Sequence, residues 1–235
     1  MVVSSRFALF MNDFGRRSAV PTTTLSAENL AKSFSGPAVF SGLSLQVAQG
    51  LTAVTGCNGS GKTTLLKILA GLLRPSTGSV RLNCDGRTLA APERRLAIGW
   101  AGPDLALYGE LTALENLVFF RKAAGRPAPL DELTRRLMEV GLRPEAIDRR
   151  VEEFSTGMKQ RLRIAFALLF DPPILLLDEP MAGLDAEGRE IVHRAIAAAR
   201  RRGAVVLASN DERDLLEPEQ RIELGGDRKT VDGRG

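Results

Sequence analysis

Histidine, tryptophan and tyrosine each occur once in this chain, and cysteine twice. A lone histidine excludes a multi-histidine zinc site within one chain. Cys57 and Cys84 are too few and too far apart for a disulfide scaffold or a four-cysteine zinc site. Such sparse cysteine fits a reducing compartment, most simply the cytoplasm. There is also no apolar run of the roughly 18–20 residues needed to cross a bilayer; the stretch Leu162–Phe170 is broken by Arg163. Charge of one sign is in small excess, with 32 basic against 28 acidic residues, a net charge of +4 and a pI of about 9.4. The basic residues are scattered, with only short runs at Arg135–Arg136, Arg149–Arg150 and Arg200–Arg202. That pattern argues against a nucleic-acid partner.

What remains is an ordinary globular composition. The chain has 235 residues, 44% of them apolar, enough for one domain with a sizeable core or one domain with a small subdomain. Residues 1–24 place Arg6, Arg16 and Arg17 around a short apolar patch, Phe7–Met11. Asn12 and Asp13 cut that patch too short for a signal peptide. The segment reads as a poorly ordered extension, or as the result of an upstream start with Met11 as the alternative.

From Leu25 onward the pattern is ordered. Strands are expected at Leu25–Phe34, Val39–Val47, Leu51–Thr55, Ser79–Leu82, Leu96–Trp100, Ile174–Leu177 and Ala204–Ala208, with a final hairpin from Ile222–Leu224 and Lys229–Val231. Helices are expected at Thr63–Leu73, after the capping box Thr112–Glu115, at Leu130–Val140, Met158–Phe170 and Ala186–Arg202. The run Ile174–Leu177 is apolar throughout, as in a strand buried on both faces. Alternating strands and helices imply a mostly parallel sheet flanked by helices, with a helical insertion over about 104–170.

Two motifs carry chemistry. Gly56-Cys57-Asn58-Gly59-Ser60-Gly61-Lys62-Thr63-Thr64 matches G-x-x-x-x-G-K-[ST] between an expected strand and an expected helix. Glycines there allow backbone N–H groups to turn inward around a phosphate, and the helix N-terminus adds its dipole. Lys62 would bridge β- and γ-phosphates, and the Thr63 hydroxyl would bind Mg²⁺. The second motif is Ile174-Leu-Leu-Leu-Asp178-Glu179-Pro180. A buried strand delivers Asp178 to its C-terminal end, where it can hold Mg²⁺, and Glu179 can deprotonate an attacking water.

With these residues in place, nearly the whole chain, Leu25 to Leu224, resembles the nucleotide-binding subunit of ATP-binding-cassette (ABC) transporters. Phe154-Ser155-Thr156-Gly157-Met158, followed by Lys159-Gln160-Arg161, is similar to the family signature L-S-G-G-Q. Ala182-Gly183-Leu184-Asp185 resembles its D-loop. Phe34 falls where the family stacks an aromatic on adenine, although a lone Phe near a strand end can equally be core. The resemblance implies a P-loop core with an antiparallel β subdomain and an inserted helical subdomain. It also implies ATP and Mg²⁺ as ligands, and a head-to-tail pair of cassettes, most simply a homodimer, in which Ser155, Thr156 and Gly157 close over the neighbour's ATP. Asp185 would couple the two sites. The subunit would sit on the cytoplasmic face of the membrane, held by a separate transmembrane permease.

Two departures stand out. Pro103 occupies the position where the family usually has a Gln, with Asp104 as a substitute of unknown reach. Asn210 stands where the family has its switch histidine; its neutral amide can donate to a γ-phosphate but cannot hold a proton near neutral pH. The only histidine, His193, falls in the helix after the D-loop and reads as a helix-surface or dimer-edge residue. The stretch Ala106–Phe120, with Glu110-Leu-Thr and Glu115-Asn116, resembles the short ATPases of haem exporters for cytochrome c maturation. It also resembles exporters of the ABC-2 type that carry drugs, lipids or polysaccharides. A soluble ABC ATPase without a permease is the rival from another class, opposed by the presence here of one cassette and no heptad tract. A cassette that binds ATP but hydrolyses it poorly is a third reading, motivated by Pro103 and Asn210. Cys57 is either a thiol that ATP protects from alkylation or an inert buried one.

Overall fold

The computed structural model describes residues 22–225 and 231–233. Strand β1 (Thr23–Ser33) pairs antiparallel with β2 (Ala38–Val47). After β3 (Gly50–Thr55) and helix α1 (Lys62–Ala70), the chain adds β4 (Thr77–Cys84) and β5 (Arg87–Thr88), giving an antiparallel sheet of order β2-β1-β4-β5. The expected boundary at residue 24 falls inside β1: Thr23 and Thr24 pair with Cys84 and Asn83. Residues 1–21 lie outside the described residues.

Next come α2 (Ala91–Leu96) and β6 (Ile98–Ala101). The expected strand Leu96–Trp100 therefore starts later, because Leu96 closes a short helix; the Glu93 carboxylate there accepts from the Ala90 N–H at 3.0 Å. The helical region holds α3 (Ala113–Ala123), α4 (Leu130–Glu139), α5 (Pro144–Ile147), a 3₁₀ turn at Val151–Glu153 and α6 (Thr156–Ala167). Helix α6 starts two residues before the expected Met158, since Ser155 caps it. It stops before Phe170, where Pro172 disfavours a helical predecessor.

The chain then forms β7 (Ile174–Asp178), α7 (Ala186–Arg202), β8 (Ala204–Ala208), a 3₁₀ turn at Glu212–Asp214, β9 (Gln220–Glu223) and β10 (Val231–Gly233). The second sheet has the order β10-β9-β3-β8-β7-β6. It is parallel except for the antiparallel β9–β10 edge, where Val231 faces Ile222. That edge is the expected hairpin; its Lys229 and Thr230 lie outside the described residues.

Period-two alternation divides the core. Ile174, Leu176, Val206 and Val54 point toward α1 and the antiparallel sheet, together with Leu65, Leu66, Ile68 and Leu69. Leu175, Leu177, Val205 and Ala53 point the other way, toward Leu117, Leu133 and Leu162 of the helical region and Val192 and Ile196 of α7. β7 is thus buried on both faces, as its apolar run suggested. Each fully buried Leu or Ile contributes roughly 1.5–3 kcal/mol.

One segment owes its sequence to structure. Thr112 and Glu115 form a reciprocal cap, with Glu115 N–H donating to Thr112 Oγ1 at 3.1 Å and Thr112 N–H to Glu115 Oε2 at 2.8 Å. Fully buried Asn116 donates from Nδ2 to the carbonyls of Tyr108 and Thr112 and accepts from Tyr108 N–H at 2.9 Å. The Thr-x-x-Glu-Asn pattern ties the 105–111 loop to α3.

Close approach of β6 to the end of α6 demands a glycine: a Cβ on Gly99 would sit 2.2 Å from the Ala167 carbonyl oxygen. Gly99→Ala is expected to cost about 2 kcal/mol, lowering Tm by roughly 4–8 °C. Gly36→Ala, with nothing within 4 Å of the added methyl, should leave Tm unchanged. Equal melting of the two variants in calorimetry would contradict the packing described.

Candidate nucleotide site

In-register pairing aligns three strand ends. Asp178 is opposite Ala208, and Ala208 is opposite Val54, so β7, β8 and β3 all end at one edge of the sheet. Gly56, Glu179, Ser209 and Asn210 follow directly in sequence. This is the carboxyl edge at which open α/β sheets bind ligands.

The loop of residues 56–61 leaves β3 and feeds α1. Gly56 has φ 142°, and a Cβ there would lie 2.3 Å from the Leu224 carbonyl oxygen; Gly61 has φ 99° and would clash with Val39. Neither position admits a side chain. Lys62 is 6% exposed and donates to the carbonyls of Gly56 at 2.7 Å and Cys57 at 3.1 Å, and to Asn210 Oδ1 at 2.5 Å. All three acceptors are neutral, so the ammonium can still compensate an anion. Asn58 and Gly59 are exposed, Ser60 is buried and Thr64 half-buried. Cys57 is exposed, which removes the buried alternative for its thiol.

Thr63 Oγ1 donates to Asp178 Oδ2 at 2.7 Å. Asp178 is 1% exposed, and its Oδ1 has no partner. Burial raises its pKa, against the Thr63 hydrogen bond; Asp104 raises it further, and Lys62 and Lys67 pull it down. Glu179 has φ 49°, a conformation that costs a non-glycine residue of order 1–3 kcal/mol and clusters at functional sites. Its N–H donates to the Ala208 carbonyl at 2.9 Å, and its carbonyl accepts from Gln160 Nε2 at 3.3 Å. Its Oε2 accepts from Ser209 Oγ at 3.3 Å, while Oε1 is buried without a partner. Burial raises the Glu179 pKa, opposed by Lys62 and the Ser209 hydrogen bond.

Three buried orphan oxygens, Ser60 Oγ, Asp178 Oδ1 and Glu179 Oε1, belong to this loop and strand edge. Orphaned buried acceptors are costly unless a ligand completes them. A hard cation with oxygen ligands suits the Thr63–Asp178 donor set.

Other residues singled out by sequence fall elsewhere. Ser155 caps α6, its Oγ accepting from Met158 N–H at 3.2 Å. Thr156 is exposed, and Gly157 packs so closely on the Gly183 carbonyl that a Cβ would sit 2.9 Å from it. Asp185 caps α7 through Gly188 N–H at 2.8 Å and accepts from Arg161 Nη2 at 3.2 Å. Ser155, Gly157 and Asp185 line a cleft of about 780 Å³. Gly56, Cys57, Ser209 and Asn210 line a different one of about 460 Å³ that shares no residue with it. Lys62, Thr63, Asp178, Glu179 and Asn210 are brought together; the signature and D-loop residues are not.

Phe34 is 61% exposed, with Lys32 Nζ 4.8 Å from its ring centre, which excludes the core alternative. Asp104 pairs with Lys67 at 2.9 Å. His193 is half-buried on α7, and its Nε2 is shut off from solvent without a partner. Gln160 and Asp214 were not foreseen as parts of the site. Gln160 carries a signal in its place on the signature helix, but Asp214 carries none that spacing reveals.

Comparison with known proteins follows the same lines. A family model described as ABC transporter matches residues 40–182. The chain is 34% identical over 209 residues to the Fe(3+) ions import ATP-binding protein FbpC 1 of Rhodococcus jostii, covering 86% of this chain and 59% of that protein. It is 31% identical over 226 residues to the Nod factor export ATP-binding protein I of Rhizobium meliloti, covering 93% of this chain and 67% of that one. The chain thus spans only part of the length of these relatives. Its fold is similar to that of the dimeric bacterial ABC transporter cassette MJ0796, with a TM-score of 0.75 at 23% identity, covering 88% of this chain and 98% of that one. By that family match and by relatives above 30% identity along most of its length, the chain belongs to the ABC transporter family, as its ATP-binding part.

Proposed function

We propose that the chain binds and hydrolyses Mg-ATP and drives a separate transmembrane permease. The observation that carries this reading is the Thr63–Asp178 hydrogen bond beside Lys62 and Glu179. Lys62 and the inward backbone N–H groups of the loop hold the β- and γ-phosphates. Thr63 and Asp178 hold Mg²⁺, which neutralises charge developing on those phosphates. Glu179 takes the proton of the attacking water, and the burial that raises its pKa makes it a stronger base. Asn210, already on Lys62, contributes a neutral donor to the γ-phosphate. Exposed Phe34 offers its ring to adenine.

Ser155, Thr156, Gly157 and Asp185 act in this reading on the ATP of a second cassette, as the family resemblance implies; Ser155, Gly157 and Asp185 share no cleft with Gly56, Cys57 and Asn210. A pair of cassettes, most simply a homodimer, follows from this reading. Among the described residues no helix is long and apolar enough to cross a membrane; the membrane path in this reading is a separate permease. The exposed Tyr108 and Phe119, in a series of edge-to-face contacts with Phe120 and Phe166, give that partner an apolar surface on the helical region. The subunit then works at the cytoplasmic face of the membrane.

Export is the direction proposed, with haem export as its narrower form, on the resemblance of Ala106–Phe120. Its Thr112, Glu115 and Asn116 serve the fold, so cargo must be tested directly. The relatives' names include both an importer and an exporter. Haem stimulating ATP hydrolysis by the reconstituted complex would favour the narrower form; stimulation by drugs, lipids or polysaccharides alone would exclude it.

Glu179→Gln should keep ATP binding and lower turnover at least ~10²-fold in a phosphate-release assay. Unchanged turnover removes Glu179 from the base role. For the thiols, Cys57 should be alkylated in the native protein and protected by ATP. Cys84, buried and with its pKa raised by that burial, should label only after denaturation. Equal labelling of Cys57 with and without ATP, read by mass spectrometry, would contradict its place against the phosphates.

A further inference from the structure

The carboxylate of Glu179 takes one side-chain hydrogen bond, from Ser209, beside the backbone of Asn210 and the charge of Lys62. Its Oε1 has no partner, and its Oε2 accepts from Ser209 Oγ. Ser209 is 2% exposed and is itself held from two sides: Asp211 N–H donates to its Oγ at 3.1 Å, and Asp214 Oδ2 lies 3.0 Å from the same oxygen. A hydroxyl has one hydrogen to give. Two carboxylates therefore compete for it.

Asp214 is 5% exposed and comes from the 3₁₀ turn after β8. Its Oδ1 accepts from Arg189 Nη1, and its N–H donates to the Asp211 carbonyl at 3.0 Å. Arg189 lies in the first turn of α7, its N–H donating to the Asp185 carbonyl at 2.9 Å. Asp185 in turn accepts from Arg161 of α6. An unbroken series of contacts thus runs from the signature cleft through Asp185, Arg189, Asp214 and Ser209 to Glu179.

We propose that Ser209, Asp214 and Arg189 are positioning residues for Glu179, fixing where its carboxylate points and tying it to the N-terminus of α7. The inference rests on the reading of Glu179 as the base. Glu179 sits on strained backbone, and its own main-chain hydrogen bonds fix the Cα but not the side chain. A base misplaced by a fraction of an ångström loses rate. Ser209 corrects the aim. Asp214 sets the place of Ser209, and Arg189 sets the place of Asp214. A shift of the α7 N-terminus would pass to Glu179 through these three side chains, without touching the phosphate loop.

The test uses the full chain with ATP and Mg²⁺. Ser209→Ala should lower kcat about 5- to 10-fold, the worth of one hydrogen bond, with the KM for ATP unchanged. Ser209→Thr keeps the hydroxyl and should recover most of the loss. Arg189→Gln should lower kcat in the same way, and Asp214→Asn, which removes the competing carboxylate, should leave kcat no lower than Arg189→Gln does. In the Glu179→Gln background, Ser209→Ala should cost nothing further, because Ser209 acts only through Glu179. The proposal is overturned if Ser209→Thr is as slow as Ser209→Ala. It is also overturned if the loss persists in full without Glu179, or appears in KM instead. If Asp214→Asn or Arg189→Gln fails to fold, the Ser209 series decides alone. Undiminished turnover in Glu179→Gln sinks the base reading itself; loss there with a flat Ser209 series sinks only the positioning chain.

Discussion

Parallel register is the constraint on which the site depends. Because Asp178 of β7 pairs with Ala208 of β8, and Ala208 with Val54 of β3, three connections emerge side by side. One turns into the phosphate loop, one carries the paired acids, and one carries Ser209 and Asn210. A shift of one residue in β7 would move Asp178 off the edge and reverse its apolar faces toward the wrong core layers. The alternating burial of Ile174 to Leu177 therefore holds the Asp178 carboxylate in place from below, while the Thr63 hydroxyl holds it from above.

The charges at the site come from its carboxylates and from Lys62 and Lys67. Asp104 is drawn to Lys67 of α1. From there its charge still raises the pKa of Asp178. Asn210 meets Lys62 without adding charge. His193 sits half-buried on α7 and lines neither the phosphate-loop cleft nor the signature cleft. Burial raises the pKa of both Asp178 and Glu179.

Local patterns were legible in the sequence. The glycine loop, the apolar strand before Asp178, the Thr112 cap and helix 186–202 all follow from spacings of a few residues, and the structure places them there. What was not legible is long-range. Gln160 reaches the Glu179 carbonyl from the signature helix, and Asp214 reaches Ser209 from a 3₁₀ turn; neither contact leaves a periodic trace. Short elements also escaped, such as α2 before β6, because six residues give too little pattern to separate helix from strand. The Ala106–Phe120 stretch showed the opposite problem. It read as a mark of transport class, yet its polar residues cap and tie a helix.

The central claim is that Thr63 and Asp178, joined across two elements, form one Mg²⁺-dependent phosphate site. Calorimetric ATP affinity with and without Mg²⁺, compared between the native chain and Asp178→Asn, tests it most directly. The account predicts that Mg²⁺ tightens binding to the native chain and that this gain disappears in the variant, while metal-free binding through Lys62 persists. An undiminished Mg²⁺ gain in Asp178→Asn would contradict it.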